Sequence, residues 1–198
     1  MNLENEPKAI ICLNGELTLN AIPKLPIIAA DGAYNKLRKN GIEANYVVGD
    51  LDSLTGKISD SVKCFYISEQ NSTDFEKCIK IAIKLQLYPC LVIGAFGGDI
   101  DHSLHNLALV IQYKNSCPMQ ILQKQQIIIP APPKLILNIK TNQTVSLMPF
   151  PEAVVTTKGL KWELTNQILK QPESSSIRNQ TMQDQVIITT KGNLFCIY

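Results

Sequence analysis

The stretch Val47-Val48-Gly49-Asp50-Leu51-Asp52-Ser53 joins the end of an apolar run to two closely spaced carboxylates. The run that ends at Val48 is typical of a buried strand, and open α/β sheets place their ligands just beyond such strand ends. Asp50 and Asp52 repel each other unless a cation or a shared proton lies between them. Mg²⁺ is the natural candidate because it prefers hard oxygen ligands. The alternative is a polar turn in which Ser53 caps a helix.

Around this stretch, short apolar runs alternate with helical patterns over the first half of the chain. The pattern predicts strands at 9–13, 27–30, 46–48, 63–67 and 91–93. It predicts a helix over 33–39, a second that starts at Thr73, and a third that is capped by Asp101 or a neighbour. Thr73 and Glu76 have the spacing of a capping box. This alternation is typical of an α/β domain with a mostly parallel sheet.

The pattern changes near residue 116, beyond which the helical period disappears. Short β-rich runs follow at 119–122, 127–129, 135–139, 145–148, 186–190 and 195–198. Turns rich in Pro, Asn and Gly separate them, including Pro130–Pro133 and Lys191-Gly192-Asn193. We therefore expect an α/β domain at 1–116 and an all-β domain, a sandwich or a partly open barrel, at 117–198.

Composition excludes several classes of protein. The 198 residues carry a net charge of only +2 with no basic stripe, so we expect no nucleic-acid partner. No apolar run is long enough for a transmembrane helix, and residues 1–6 lack the pattern of a signal peptide. The six cysteines include no Cys-x-x-Cys pair, which favours buried free thiols over disulfides or zinc. These features predict a cytoplasmic protein without a membrane partner.

Acidic residues follow strand ends or begin helices at four places in the α/β half. They are Asp31, the pair Asp50 and Asp52, Asp74, and the pair Asp99 and Asp101. Because the carboxyl ends of parallel strands meet at one edge of a sheet, these side chains are expected to lie together. The alternative is that each satisfies free N–H groups in the first turn of a helix. The close spacing of Asp50 and Asp52 favours a cation site.

Other features are weaker on their own. Gly94-Ala95-Phe96-Gly97-Gly98 is a glycine-rich turn before a helix, which suits a phosphate, although a plain tight turn explains it too. His102 and His105 are the only histidines and lack a third ligand at zinc spacing, so capping or hydrogen bonding is the better interpretation. Trp162 is the only tryptophan, and it is either a core residue or a flat surface for a cationic heterocycle.

Together these stretches resemble the thiamin pyrophosphokinase family. Five short segments in the family's order carry the resemblance: Ala30-Asp31-Gly32-Ala33-Tyr34-Asn35, Gly49 to Ser53, Gln70 to Phe75, Gly97-Gly98 with Asp101-His102, and Gly159 to Trp162 with Leu164-Thr165-Asn166. The resemblance implies an N-terminal α/β nucleotide domain, a C-terminal β-sandwich, and a homodimer with active sites between subunits. It also implies transfer of a pyrophosphoryl group from ATP to the thiamin hydroxyl, giving thiamin diphosphate and AMP.

The resemblance also implies roles for individual residues. The catalytic residues would be Asp74, Asp50 and Asp52, and the Mg²⁺ ligands Asp31, Asp50, Asp52 and Asp74. ATP would be bound by Gly49, Ser53, Thr73, Gly97, Gly98, Asp101 and His102. Thiamin would be bound by Gln70, Asp74, Trp162, Ser176 and Asn179. Such a set suits phosphoryl-type transfer, which depends on charge neutralisation and alignment.

The chain departs from the family at two positions. Asp99 stands where Arg is frequent in the glycine loop, and Arg178 stands where a small polar residue is common. Two rival enzyme classes share part of the acidic motif: Val47 to Gly56 is similar to phosphoribosyltransferases, but its acids are separated by Leu51. It is also similar to haloacid-dehalogenase phosphatases, but it has Leu54 where Thr or Val is expected. A third alternative is a non-catalytic module that binds a nucleotide or thiamin.

Overall fold

The computed structural model describes residues 6–17, 19 and 22–198, and the chain divides into two compact units. The first, the α/β unit, ends at Gln125, and the second, the β unit, comprises Gln126–Tyr198. The sequence pattern placed the boundary near residue 116. The division lies later because the strand Met119–Gln123 pairs in parallel with Cys90–Ile93 and so belongs to the α/β unit. Residues 1–5, which carry most of the signal-peptide argument, lie outside the described residues.

The α/β unit alternates strands and helices as the sequence predicts. In its described part, the strands are β1 (Ala9–Cys12), β2 (Ile27–Ala30), β3 (Tyr46–Gly49), β4 (Lys63–Tyr66), β5 (Cys90–Ile93) and β6 (Met119–Gln123). The helices are α1 (Asp31–Lys39), α2 (Asp74–Lys84) and α3 (Ile100–Gln112). All neighbouring strands are parallel, in the order β4-β3-β2-β1-β5-β6. The expected parallel sheet is therefore confirmed.

Burial explains why these short runs form strands. Every residue of β1, β2 and β5 is buried, as expected for central parallel strands that are covered on both faces. Helix α2 is amphipathic, and its first turn is capped by the Thr73 hydroxyl, which accepts from the Glu76 N–H at 3.4 Å. The other half of the predicted capping box does not form, because the Glu76 carboxylate accepts from the Tyr113 hydroxyl and from Lys80 instead.

The order of the strands creates a switch point between β1 and β5. From β1 the chain proceeds outward through β2, β3 and β4, and it then crosses to β5 on the other side. The loops that follow β1 and β5 therefore diverge, and a crevice opens between them at the carboxyl edge of the sheet. Backbone hydrogen bonds tie the two loops at their base: Gly15 N–H donates to the Gly94 carbonyl at 2.9 Å, and Glu16 N–H donates to the Phe96 carbonyl.

The β unit is built from antiparallel pairs, which confirms the expected all-β second half. Its described strands are β7 (Gln126–Pro130), β8 (Lys134–Asn138), β9 (Thr144–Lys158), β10 (Gln167–Lys170), β11 (Ser176–Gln180) and β12 (Gln185–Ile197). The long strand β9 pairs with β11 near its start and with β10 near its end. Strand β12 pairs with β9 along most of its length.

The prediction of a turn at Lys191-Gly192-Asn193 is wrong. Strand β12 runs through these residues, and the pairing with β9 shifts register between Gly192 and Leu194. Gly192 has φ +109, and a Cβ there would lie 2.6 Å from the Glu152 carbonyl oxygen. Glycine is thus required for a bulge within a strand, a use of glycine that resembles a turn in sequence.

The cysteines and helices agree with two further expectations. All six cysteines are free, and five are buried, as predicted for a protein with reduced thiols. Within the described residues, none of the helices combines the length and the apolar character needed to cross a membrane.

Candidate active site

A pocket lies at the switch point of the parallel sheet. Its walls come from the segments that follow the carboxyl ends of the strands: residues 13–15 after β1, residues 30–32 after β2, Ser53 after β3, residues 73–75 at the start of α2, and residues 94, 95, 98 and 99 after β5. Helix α3 adds His102, Ser103 and Asn106. Of the acidic residues that the sequence predicted to lie together, Asp31, Asp74 and Asp99 line this pocket.

Three of the predicted metal ligands form a compact cluster. Carboxylate oxygens of Asp31, Asp50 and Asp52 lie within 4.8 Å of one another. Asp31 is buried and accepts hydrogen bonds from the N–H groups of Gly32 and Leu51, the latter at 3.1 Å. These contacts hold the Asp31 carboxylate against the loop that carries Asp50 and Asp52. A set of three carboxylates at this separation offers the hard oxygen donors that Mg²⁺ prefers, so the residues present fit that ion.

The electrostatics of the cluster agree with a site for a cation. Burial raises the pKa of Asp31 above its usual range, and the negative charges of Asp74, Asp50 and Asp52 raise it further. A hydrogen bond from the Gln70 amide at 2.9 Å lowers the pKa of Asp50. One carboxylate thus bears most of the desolvation and repulsion, whereas its neighbour is held in the charged form. A bound cation would relieve the repulsion on Asp31.

Gly49 makes the approach of Asp31 possible. It is buried with φ +154, and a Cβ at this position would lie 2.9 Å from both Cγ and Oδ2 of Asp31. Any other residue would push the Asp31 carboxylate away from the loop. The geometry therefore gives Gly49 a packing role beside the three-carboxylate cluster, whereas the resemblance implied contact with ATP.

Asp74 lies outside the three-carboxylate cluster. It is the first residue of α2 and lines the same pocket, and its charge contributes to the raised pKa of Asp31. Its Oδ1 lies 3.2 Å from the ammonium of Lys77, one turn along the helix. Because Thr73 caps the helix, Asp74 is available to ligands that enter the pocket.

The glycine-rich turn opens onto the pocket at Gly98. A Cβ at Gly98 would meet nothing within 4 Å, so its backbone is accessible to a ligand. The turn is held from behind by Asn106, a buried residue of α3 whose amide donates to the Ala95 carbonyl at 2.9 Å. Asp99 occupies the N-cap position of α3 without a side-chain capping bond, and it lines the pocket together with His102.

Other residues assigned to ATP have local roles. The Asp101 carboxylate accepts from the His102 N–H at 2.8 Å within the first turn of α3. A Cβ at Gly97 would lie 2.6 Å from the Cβ of Glu16, so Gly97 allows the close contact between the loops after β1 and β5. Ser53 and Thr73, to which the resemblance assigns ATP, line the pocket.

In the β unit, Trp162 is presented to solvent. It is 57% exposed, so the interpretation of Trp162 as a core residue is wrong. Asn179 is buried beside it and binds its backbone from both sides: Asn179 Oδ1 accepts from the Trp162 N–H at 3.1 Å, and Asn179 Nδ2 donates to the Trp162 carbonyl at 2.7 Å. Nδ2 also donates to the Ser176 hydroxyl at 3.1 Å. Asn179 therefore positions the Trp162 loop.

A second side chain fixes the same loop. The Glu163 carboxylate accepts from the Gly159 and Leu160 N–H groups and from the Thr157 hydroxyl. One face of the Trp162 ring carries the Lys161 ammonium, 4.8 Å from the ring centroid. With its backbone held at both ends, Trp162 can offer its ring to a ligand at little cost in conformational entropy.

The structure thus divides the predicted site residues into two groups. Asp31, Asp50, Asp52, Gln70 and Asp74 lie around the pocket of the α/β unit, whereas Trp162, Ser176 and Asn179 lie together in the β unit. Reasoning from sequence missed the loop after β1, Lys77 and Asn106. The loop could have been found, because Asn14-Gly15 follows a strand end as the other site segments do.

Comparisons with known proteins agree with this division. Residues 24–121 match the family model "Thiamin pyrophosphokinase, catalytic domain", and residues 127–195 match "Thiamin pyrophosphokinase, vitamin B1 binding domain". Together the two matches cover most of the chain, and the gap between them contains the boundary of the two compact units.

Individual relatives are distant in sequence. The chain is 26% identical over 184 residues to thiamin pyrophosphokinase 1 of Caenorhabditis elegans, covering 84% of this chain and 76% of that protein. It is 25% identical to thiamine pyrophosphokinase 1 of Arabidopsis thaliana, of which it spans 65%. Among solved structures, thiamine pyrophosphokinase from Bacillus subtilis matches with a TM-score of 0.82 at 23% identity, covering 96% of this chain and 98% of that one. The structural match shows a shared fold.

Proposed function

Because this chain belongs to the thiamin pyrophosphokinase family, we propose that it transfers a pyrophosphoryl group from ATP to thiamin, giving thiamin diphosphate and AMP. The observation that carries the proposal is the cluster of Asp31, Asp50 and Asp52, of which Asp31 lines the pocket at the switch point of a parallel sheet. A polyphosphate can approach three carboxylates only with a cation between them. An enzyme that uses Mg²⁺ with ATP meets this requirement.

We assign Mg²⁺ to the three-carboxylate cluster, with Asp74, which lines the same pocket, as a further ligand or a contact to substrate. Bound Mg²⁺ supplies neutralisation of the charge that develops on the phosphates. Asp31 provides a buried, rigid ligand, and Asp50 is held in the charged form by Gln70. Asp52 is exposed and completes the set from the solvent side.

In the reaction, the thiamin hydroxyl oxygen attacks the β-phosphorus of ATP, and the bond from that phosphorus to the α–β bridging oxygen breaks. AMP leaves with the bridging oxygen, and the hydroxyl proton must be accepted. We assign this proton to Asp74, since it lies in the pocket beside the cluster and is not the capping residue of its helix. The open Gly98 backbone, with Ser53, Thr73 and His102, would contact the phosphates.

Thiamin is assigned to Trp162, with Ser176 as a polar contact and Asn179 as the residue that positions the Trp162 loop. An exposed indole whose backbone is fixed suits a ligand that carries a permanent positive charge on a flat ring. Lys161 covers one face of the indole, so the thiazolium would use the other face or displace the lysine.

The test is AMP release that depends on thiamin. Purified protein is incubated with ATP and Mg²⁺, with and without thiamin, and AMP and thiamin diphosphate are quantified by chromatography. We expect the two products in equal amounts and only when thiamin is present. Phosphate release without thiamin would indicate a phosphatase. Binding of ATP and thiamin without turnover would indicate a non-catalytic module.

We also propose a homodimer with active sites at the subunit interface. Ile100 and Leu104 are 78% and 63% exposed and are four residues apart, so they form an apolar stripe on α3 next to the pocket. A second copy that covers this stripe would enclose the nucleotide end of the site. Sedimentation at micromolar concentration should give twice the 22.0 kDa mass of one chain. A species of 22.0 kDa alone would contradict the dimer.

The free thiols support a reducing, cytoplasmic location.

A further inference from the structure

Lys77 is a buried lysine of α2 that pairs with Asp74, a residue of the candidate active site. Its side chain is only 3% exposed, although lysine is rarely buried so fully unless it is paired. Its partner is Asp74, whose Oδ1 lies 3.2 Å from the ammonium and whose side chain is 43% exposed. Burying an ammonium is costly, and a single partner that remains in contact with water compensates that cost only in part. A methionine would fill the same interior position of α2 without that cost.

The charge of Lys77 acts on more than one carboxylate of the site. Asp74 is close enough to Asp31 to contribute to its raised pKa, and the charge of Lys77 acts on Asp50 as well. The cation is therefore coupled to the carboxylate that we assign to the substrate and to one that we assign to the metal. Lys80, one turn further along α2, pairs with Glu76 and is 50% exposed. The two lysines thus share a helix and an ion-pair type but differ in burial and in contact with the site.

We propose that Lys77 is a positioning residue that fixes the Asp74 carboxylate in the pocket and offsets the negative charge of the metal ligands. The proposal rests on the assignment of the pocket as the site of pyrophosphoryl transfer. The ammonium occupies Oδ1 of Asp74, which leaves the second carboxylate oxygen for the ligand. It also keeps part of the site neutral before any cation arrives, so that the four carboxylates tolerate one another in the free protein.

These two roles predict effects of opposite sign. Without the ammonium, the carboxylates attract a divalent cation more strongly, so metal affinity should rise. Without its anchor, Asp74 samples orientations that do not serve the thiamin hydroxyl, so turnover should fall. If Lys77 only fills space, its replacement should not raise metal affinity while it lowers turnover, because loss of packing weakens metal binding and turnover together.

The experiment compares Lys77→Met, Lys77→Arg and the matched control Lys80→Met. Binding of Mn²⁺ alone is measured by electron paramagnetic resonance of the free ion, and kcat and KM for thiamin are measured with MgATP. For Lys77→Met we expect Mn²⁺ to bind about three- to tenfold more tightly. We expect kcat to fall by at least about tenfold while KM for thiamin changes less than about threefold. Lys77→Arg should keep the wild-type Mn²⁺ affinity, and Lys80→Met should match the wild type throughout.

Unchanged or weaker Mn²⁺ binding by folded Lys77→Met would overturn the proposal, as would a kcat equal to that of Lys80→Met. If Lys77→Met does not fold, Lys77→Gln and Lys77→Arg make the same comparison between a neutral and a charged side chain. A wild-type protein that binds Mn²⁺ but releases no AMP would refute the proposed function. The Mn²⁺ measurements would then still decide whether Lys77 offsets the charge of the cluster, and equal affinities would refute that role.

Discussion

Gly49→Ala tests whether the metal site depends on the close approach of Asp31 to the loop after β3. The added Cβ would lie 2.9 Å from Cγ and Oδ2 of Asp31 and 3.2 Å from its Cβ. Carbon atoms in contact prefer about 3.5–4.0 Å, so the carboxylate must move by roughly 0.5–1 Å. That movement breaks the hydrogen bond from Leu51 N–H to Asp31 and separates Asp31 from its partners in the cluster.

The magnitude follows from two contributions. Overpacking of this kind costs about 1–3 kcal/mol, and a backbone at φ +154 adds about 1 kcal/mol for a residue with a Cβ. The free energy of unfolding should therefore fall by roughly 2–4 kcal/mol, which lowers the Tm of a chain of this size by about 4–16 °C. The variant should also lose the increase in Tm that Mg²⁺ gives the wild type, together with nearly all AMP release.

The assay is thermal unfolding with Mg²⁺ and with a chelator, combined with thiamin-dependent AMP release. Gly41→Ala is the matched control, because Gly41 has φ +70 but its Cβ would meet nothing within 4 Å. It should lose about 1 kcal/mol and keep its activity. In the Asp31→Ala background the two 2.9 Å contacts with Cγ and Oδ2 are absent and only the 3.2 Å contact with Cβ remains, so Gly49→Ala should cost about 1–3 kcal/mol less there. Equal costs in both backgrounds, or a Gly49→Ala variant that Mg²⁺ still stabilises, would refute the reasoning.

Three further outcomes are expected. Asp50→Asn and Asp52→Asn should each lose nearly all AMP release while circular dichroism shows a folded protein, because each removes a charge from the cluster; near-normal turnover at saturating Mg²⁺ would exclude that residue from the metal site. Asp99→Asn should lower KM for ATP severalfold, because Asp99 adds a negative charge to a pocket assigned to phosphates, and an unchanged KM would show that this charge does not act on the nucleotide. Trp162→Ala should raise the thiamin Kd roughly 2- to 30-fold with an unchanged ATP Kd, as titration calorimetry can measure; a large fall in Tm with normal thiamin binding would contradict the stacking role.

The centre of the parallel sheet could be predicted from sequence because strands β1, β2 and β5 are uniformly buried. Continuous apolar runs such as 9–12 and 90–93 have only one favourable location, the centre of a sheet covered on both faces. The strands β10 and β11 could not be found in this way. They pair with β9, and only one residue of each strand is buried, so burial leaves little pattern in them.

The position of the three-carboxylate cluster could also be predicted, because it depends on topology. A carboxylate that follows a parallel strand reaches the same edge as those that follow its neighbours, whatever the details of packing. Lys77 and Asn106 were missed for the opposite reason. Each is a polar residue inside a helix that tertiary packing buries beside its partner. Lys77 pairs with Asp74 in the preceding turn, and Asn106 donates to the Ala95 carbonyl.

Trp162 and Asn179 in the β unit show where residue type alone misleads. A single tryptophan among apolar residues was compatible with a core position, and a nearby asparagine with a ligand contact, yet the structure reverses the two. The buried Asn179 amide bonds the backbone N–H and carbonyl of Trp162. In an exposed loop, water could otherwise satisfy these two groups. That arrangement makes sense only if the loop must be held still, and the residue that it holds is the exposed Trp162. The burial of an asparagine and the exposure of a tryptophan are therefore one observation, and it favours a binding role for the indole over a structural one.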